Sequence, residues 1–313
     1  MSLIHTFAGN PLDRGDAQRR DPEWLAAAAA HPDSRYLPFS KLDVLLQGDE
    51  PSLGWINTSD IAPLNISDPP IFLGIWDDIA HFAIDVSEVG NPNDELSLNS
   101  SWRFEDCRSA GMVLSAERTG IVAQSRSQLE WHRRHRFCSV CGTLSVAERG
   151  GHVRRCPSCR AEHFPRTDPV AIMLITNGDD CLLGQSAGRL ARTGMYSALA
   201  GFIDQGESIE EAVRREVLEE AGVSVGEVQY HSSQPWPFPS SLMIGCHGKA
   251  TSTEIVIDPA EMADVGWFSR AAVRQALDQA NPELRVPGPI AIAHHLIRSW
   301  ADGDIRFDRD LRW

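Results

Sequence analysis

No apolar stretch in this 313-residue chain approaches the roughly 20 residues needed to cross a bilayer. The longest, Ala26–Ala30 and Val170–Ile175, are sized for a protein core. The N-terminus, Met1-Ser-Leu-Ile-His-Thr, has neither a basic nor a long apolar region, so no secretory signal is expected. There is no internal repeat, and no low-complexity tract beyond the alanine run. A Walker loop, GxxxxGK[ST], is missing, which argues against P-loop chemistry. Positive charge is also short: 29 Lys plus Arg against 43 Asp plus Glu leave a net charge of −14. Nucleic-acid affinity comes mainly from Lys and Arg neutralising phosphates, so this balance disfavours a general polyanion binder unless the cations are clustered. Seven cysteines are an odd number for a disulfide framework. Four of them form two CxxC pairs, which fits metal thiolates in a reducing, cytoplasmic setting.

What is there is an ordinary globular composition, 42% hydrophobic, and a length that suits two domains or one with an appendage. Asp21–Ala30 reads as a short helix, with Asp21 as N-cap and Pro22 in the first helical position. Pro70–Trp76 and Ile79–Val86 are β-rich runs separated by Asp77-Asp78, which predicts a hairpin. Residues 91–101 read as a polar loop and Ala116–Arg136 as a helix. Further on, Val170–Thr176, Cys181–Gln185, Leu242–Lys249 and Glu254–Ile257 read as strands. Arg270–Gln279 and Ile290–Ala301 read as helices, so the second half predicts an α/β/α layered domain.

Cys138-x2-Cys141-x14-Cys156-x2-Cys159 has the spacing of a four-thiolate zinc site. With all four positions filled by sulfur, the expected role is structural. Cys107, Cys181 and Cys246 have no partner in sequence and are expected in the core. Residues 131–166 hold eight Arg and two Glu, a net of +6, leaving −20 for the rest of the chain. Two readings stay open for these arginines: a solvated surface paired with acidic neighbours, or a patch that attracts a phosphate backbone.

The densest signal lies between Gly201 and Val223. Ser208 and Glu211 form a capping box, so a helix should start near Ile209, and Gly222 should end it. Ile209, Val213, Val217 and Ala221 make an apolar stripe at i+4. Glu216, Glu219 and Glu220 cluster at i, i+3, i+4, and Glu220 borders that stripe. Like charges about 4 Å apart repel by about 4 kcal/mol at an effective dielectric of 20. Divalent cations with hard oxygen ligands would relieve this, and so, on an exposed helix, would pairing with Arg214 and Arg215.

The fixed positions Gly201, Glu207, Arg215-Glu216-Val217, Glu219-Glu220 and Gly222-Val223 reproduce the Nudix box, G-x5-E-x7-R-E-U-x-E-E-x-G-U, in full. This segment resembles the Nudix hydrolases, which cleave nucleoside diphosphates linked to another moiety with Mg2+ or Mn2+. The resemblance implies Glu216 and Glu220 as metal ligands, Glu219 in or beside the cluster, and Arg215 orienting them. Downstream, Ser233-Gln-Pro-Trp-Pro-Phe-Pro-Ser-Ser241 has alternating prolines, which predict a stiff extended loop presenting Trp236 and Phe238. The string is similar to the SQPWPFPxS array of the NADH pyrophosphatase subfamily, whose members also carry a four-Cys zinc ribbon just before the Nudix domain. The likeness covers about residues 102–313 and is looser before that.

The expected fold is therefore α+β: a Nudix α/β/α sandwich with a mixed sheet (167–313), preceded by a four-Cys zinc ribbon (131–166) and an N-terminal α/β domain (1–130). By the same resemblance, Gln234, Pro235, Trp236, Pro237, Phe238, Pro239, Ser240 and Ser241 should contact a dinucleotide. Ala200 should offer its carbonyl to a metal, and Glu261 matches an extra metal-binding glutamate. Ala293 and Arg108 match substrate contacts, and Phe202 should stack on a nicotinamide ring. Phe164 stands where the family often has Tyr. A family glutamate between the CxxC pairs aligns with Gly151, so that contact is not carried over.

The subfamily hydrolyses the pyrophosphate of NAD(H) to NMN(H) and AMP, and also acts on RNA capped with 5′-NAD, releasing NMN and leaving a 5′-monophosphate. This implies two or more Mg2+ or Mn2+ ions, one structural Zn2+, and water as the attacking group. Glu220 is the first choice to bind metal and deprotonate that water, and Glu261 the second. The family's homodimer is expected too, with Phe164 completing the partner's site. Two other functions compete: a Nudix enzyme for ADP-ribose or dinucleoside polyphosphates, and a zinc-ribbon nucleic-acid-binding module with an inactive Nudix scaffold.

Overall fold

The computed structural model describes residues 4–64, 66–188, 192–305 and 307. It divides into two compact units, Thr6–Thr167 with Pro235–Ser240, and Asp168–Gln234 with Ser241–Trp313 and Met1–His5. No helix among the described residues is long and apolar enough to cross a membrane.

The first of these units holds a seven-stranded sheet. Its central path is β3 (Ser52–Leu53), β2 (Asp43–Gln47), β1 (Arg35–Ser40), β6 (Ile79–Asp85) and β5 (Ile71–Trp76), with β4 (Ile56–Asn57) on β1 and β7 (Trp102–Glu105) on β2. β1 and β6 run parallel, whereas β5 and β6 form the expected hairpin. Asp77 and Asp78 both take positive φ, 50° and 61°, the left-handed pair that matches the twist of a two-residue hairpin turn. Side chains alternate along each strand. Leu37, Phe39, Ile71 and Leu73 pack with α4 (Cys107–Val113) and α5 (Ala116–Arg134). Tyr36, Phe72 and Phe82 pack with Trp24 and Leu25 of α1 (Pro22–Ala30), whose Asp21 cap accepts from the amides of Glu23 and Trp24.

The ribbon follows as a three-stranded antiparallel sheet of β8 (Val146–Glu148), β9 (Val153–Arg155) and β10 (Glu162–His163), ordered β10-β9-β8. Five of the eight arginines of this segment pair with acids. Arg133 and Arg134 reach the buried Glu130, Arg136 reaches Asp68, Arg149 reaches Glu162, and Arg155 bridges Glu148 and Glu162.

The second unit is a six-stranded mixed sheet between helices. Its order is β14 (Val225–Trp236), β15 (Ser241–Ala250), β11 (Asp168–Asn177), β12 (Asp180–Ser186) and β16 (Met262–Ser269), with β13 (Leu199–Phe202) on β11. β11 is buried on both faces. Ala171, Met173 and Ile175 meet Val213 and Val217 of α6 (Ile209–Ala221). Ile172 and Leu174 meet Val273 of α7 (Arg270–Leu277) and Leu296 of α8 (Ile292–Asp302). The α/β/α sandwich is thus observed, and Cys107, Cys181 and Cys246 are fully buried as expected.

Several expectations need correction. Glu254–Ile257 is not a strand. Its Val256 amide donates instead to the Ala221 carbonyl at the end of α6, so that backbone closes a helix rather than a sheet. The loop expected at Ser233–Ser241 is shorter, because β14 continues through Trp236. β14 lies at the sheet edge, the place in a sheet where proline is tolerated. The 91–101 loop contains a single turn, α3 (Pro92–Glu95), capped by Asn91. The short strands β1 to β4, β7, β13 and β16, the four-residue α2 (Thr58–Ile61) and helix α4 were not expected from sequence.

Candidate active site

α6 begins and ends where its caps require. The Ser208 hydroxyl accepts from the Glu211 amide at 3.2 Å, the Glu211 carboxylate accepts from the Ser208 amide at 2.7 Å, and Gly222 closes the helix at φ 69°. This fixes which face is buried, and that face includes two acids as well as the apolar stripe. Glu216 and Glu220 are each only 8% exposed, while Glu219 is open to solvent.

One guanidinium holds this arrangement together. Arg215 donates from Nε and Nη2 to both oxygens of Glu207, at 2.6 and 2.8 Å. Its Nη1 reaches Glu216 at 2.8 Å and Glu219 at 2.9 Å, and Nη2 also reaches the Phe202 carbonyl at 2.9 Å. The fork geometry of arginine is what permits a bidentate bond and three further contacts at once. Arg215 is held charged by these partners, and Glu207 is held down to about 2 by Arg215 first and by the Asp204 amide second. Glu207 is a fixed position of the box, but sequence alone gave it no role; its function as the guanidinium's anchor is a finding of the structure.

The Glu216 carboxylate lies directly over Gly201 on β13. A Cβ at residue 201 would fall 1.8 Å from the Glu216 carboxyl carbon and about as close to both oxygens. Glycine is needed there for space, not for backbone conformation. Next to it, the Glu220 oxygen Oε2 is buried with no hydrogen-bond partner. Burial pushes Glu220 up to about 8, the charges of Glu216, Glu261 and Glu219 add to the shift, and the Ala200 backbone opposes it. Glu216 is raised as well, by burial first, with Arg215 opposing. Glu261 is exposed in the turn before β16 and acts electrostatically on both. A buried carboxylate with an unpartnered oxygen, within electrostatic reach of three further acids, is chemistry that suits hard divalent cations; among the described residues only the four cysteines bring their ligand atoms within 4.8 Å of one another. Mg2+ or Mn2+ would fit the residues present, with Glu216, Glu220, Glu261 and the Ala200 carbonyl as candidate ligands.

The remaining predicted residues divide between the units. In the Nudix-box unit, Phe202 is 60% exposed at the end of β13 and Ser241 opens β15. Gln234 is fully buried, its amide bridging the Ile290 carbonyl and the Ile292 amide at 2.8 Å each, which fixes the entry to α8. Ala293 sits buried in the first turn of that helix. In the other unit, Pro235–Ser240 packs by its own aromatic residues, with Phe238 beneath the Arg108 guanidinium at 3.8 Å. Pro237 and Ser240 are buried, and Pro239 is exposed. Phe164 is 59% exposed just after β10.

In the ribbon the sulfurs of Cys138, Cys141, Cys156 and Cys159 all lie within 4.8 Å of one another. The closest pairs, Cys138 with Cys159 and Cys141 with Cys156, are 3.6 and 3.5 Å apart. A tetrahedron with Zn–S of about 2.3 Å has S–S edges of about 3.8 Å, so the cluster fits one zinc. His163 Nε2 lies 3.3 Å from the Cys138 sulfur, a supporting contact that the CxxC spacing does not reveal.

A layered mixed sheet carrying a clamped, partly buried carboxylate helix defines a hydrolase that works through divalent metal ions. Comparison with known families matches residues 165–286 to the NUDIX domain, 133–164 to the NADH pyrophosphatase zinc ribbon domain, and 33–131 to an NADH pyrophosphatase-like rudimentary NUDIX domain. The chain is 38% identical to the NAD-capped RNA hydrolase NUDT12 of Homo sapiens, over 94% of this chain and 72% of that protein. It is 40% identical to the mitochondrial NAD(P)H pyrophosphatase NUDT13 of Homo sapiens, over 71% and 65%. It is 44% identical to the NAD-capped RNA hydrolase NudC of Pseudomonas aeruginosa, over 53% and 56%. The chain belongs to the Nudix hydrolases, in their zinc-ribbon NADH pyrophosphatase group.

Two outcomes follow from this geometry. Gly201→Ala should displace Glu216 and lower metal-dependent turnover by about 100-fold or more, the scale of removing a positioned catalytic group, with circular dichroism unchanged; near-native turnover would refute the close fit. The second outcome is a pH dependence. Glu220 has an ordinary value of 4.5 and a folded value of about 8. Between those values the folded chain keeps a proton that the unfolded chain releases, so this group's contribution to stability falls as pH rises. Without divalent ions, the melting temperature of wild type relative to Glu220→Gln should therefore drop between pH 5 and pH 8. Saturating Mg2+ should remove the drop; a difference constant with pH in metal-free protein would show that Glu220 is not so perturbed.

Proposed function

We propose that this chain hydrolyses the pyrophosphate of NAD(H) to NMN(H) and AMP, and removes 5′-NAD caps from RNA to leave a 5′-monophosphate end. The observation that carries the chemistry is the buried Glu220 carboxylate, whose Oε2 has no hydrogen-bond partner. The substrate class is supported by the Pro-Trp-Pro-Phe-Pro segment and by the relatives named for NAD(P)H and NAD-capped RNA. Two or more Mg2+ or Mn2+ ions, when bound, supply charge neutralisation for the pyrophosphate and acidify the attacking water. Glu216, Glu220, Glu261 and the Ala200 carbonyl hold them. Glu220 also accepts the water's proton, a role supported by its buried place in the carboxylate cluster and its unpartnered Oε2. Glu219 completes the cluster, and Arg215 keeps Glu216 and Glu219 in place. Gln234 to Ser241, Ala293 and Arg108 bind the dinucleotide, and Phe202 stacks on the nicotinamide.

In this reading the chain has three parts, an N-terminal region over residues 1–130, a ribbon over 131–166 and a hydrolase over 167–313. It functions as a cytoplasmic homodimer in which Phe164 completes the partner's site. Support for the dimer comes from the ribbon surface, where Phe137, Val140, Leu144, Val146 and Phe164 are all more than half exposed. Cell fractionation and the mass of wild type against Val140→Asp in solution test these two points; an organellar location or an unchanged monomer would overturn them.

The central test is product analysis with NADH, NAD, 5′-NAD RNA, ADP-ribose and a dinucleoside polyphosphate, each with Mg2+ and Mn2+. NMN(H) with AMP, or NMN with 5′-monophosphate RNA, is the expected result. Glu220→Gln should lower kcat by roughly 100- to 10,000-fold, the usual contribution of a positioned general base. Turnover confined to ADP-ribose or dinucleoside polyphosphates would reassign the substrate. RNA binding with no hydrolysis would reassign the chain as a binding module.

A further inference from the structure

The Pro235–Ser240 turn has a hydrogen-bonding problem built into its sequence. Three of its six residues are prolines without an amide hydrogen, so its carbonyls cannot all be satisfied from within the turn. One internal bond is present, from the Phe238 amide to the Trp236 carbonyl at 2.8 Å. The carbonyls of Pro237 and Pro239 turn instead to helix α5. Arg126 Nη1 donates to the Pro237 carbonyl, and Ser127 Oγ donates to the Pro239 carbonyl at 3.2 Å.

Arg126 makes a second contact with the turn, its guanidinium lying 4.6 Å from the centre of the Phe238 ring. It is itself fixed by Glu130, one helical turn on, at 2.9 Å. That carboxylate is 5% exposed and also receives Arg134 at 2.6 Å. Phe7 completes the enclosure, edge-on to both Trp236 and Phe238 at 5.8 and 5.7 Å. Arg126 thus meets the turn at a proline carbonyl and at the adjacent aromatic ring, and is itself braced by a buried acid.

We propose that Arg126, braced by Glu130, and Ser127 are positioning residues that hold the Trp236–Phe238 turn in its dinucleotide-binding shape. This rests on the assignment of that turn to the dinucleotide. None of the three touches a reacting atom in this scheme. Their effect is to remove the disorder the turn would otherwise lose on binding, so they should act on KM more than on kcat.

The test uses full-length zinc-loaded protein with Mg2+, as wild type, Arg126→Ala, Glu130→Gln and Ser127→Ala. For Arg126→Ala the expected result is a KM for NADH raised roughly tenfold or more, the scale of a lost charged hydrogen bond, with kcat retained. Added methylguanidinium should restore KM, which a general loss of packing would not allow. Hydrogen exchange should quicken in the peptide spanning residues 234–242 while the ribbon is unchanged. Glu130→Gln and Ser127→Ala should move both readouts the same way by less. Unchanged exchange in that peptide overturns the proposal whatever the kinetics. So does a joint loss of kcat and melting temperature without rescue, which would mark Arg126 as merely structural. If wild type does not hydrolyse NADH, the pyrophosphatase assignment fails by itself, and the exchange comparison still decides whether these residues position the turn.

Discussion

Four carboxylates act on one another around α6, and a single guanidinium makes this tolerable in the absence of cations. Bare like charges at that spacing would push the helix face toward solvent. Arg215 instead ties Glu207, Glu216 and Glu219 to the Phe202 carbonyl, so helix, loop and strand share one anchor. The clamp leaves Glu220 out, and Glu220 is the acid with the unpartnered oxygen. One acid set is thereby divided into a part neutralised by the protein and a part left for a ligand.

That division depends on how the sheet is built. β13 brings Gly201 and Ala200 against α6 because it pairs with β11, the strand buried on both faces. A carboxylate can occupy the space above Gly201 only because that residue has no side chain. The cores on either side of β11 hold strand and helix in register, so Glu216 and Glu220 rest on packing.

The motifs of the candidate site and the fold class were legible in the sequence, whereas many individual strands were not. Fixed spacing carries chemistry, and the box, the CxxC pairs and the proline array all depend on spacing within one short segment. The capping box and the glycine stop of α6 were readable for the same reason, since each is a local bond. The N-terminal sheet was not readable, because β3 and β4 are only two residues long, too short to show a period, and β4 pairs with the remote β1. Glu254–Ile257 misled because its β-branched residues suit a strand, yet its backbone closes the end of α6. Glu207's anchoring role, the His163 contact and the brace at Arg126 need three-dimensional proximity, and no local pattern encodes them.

The parallel pairing of β11 with β15 also bears on when this molecule can become active. The pairing starts at Asp168 with Ser241, and the intervening chain contains the whole box. Parallel strands joined through so long a connection form late, after the local helices, because closing a large loop comes before any contact rewards it. During synthesis, α6 can therefore emerge complete with its glutamates while the sheet beneath it is still missing a strand. Glu261 and α8 arrive later still. The carboxylate set needs both the box helix and Glu261, so a nascent chain carries the motif before it carries the site.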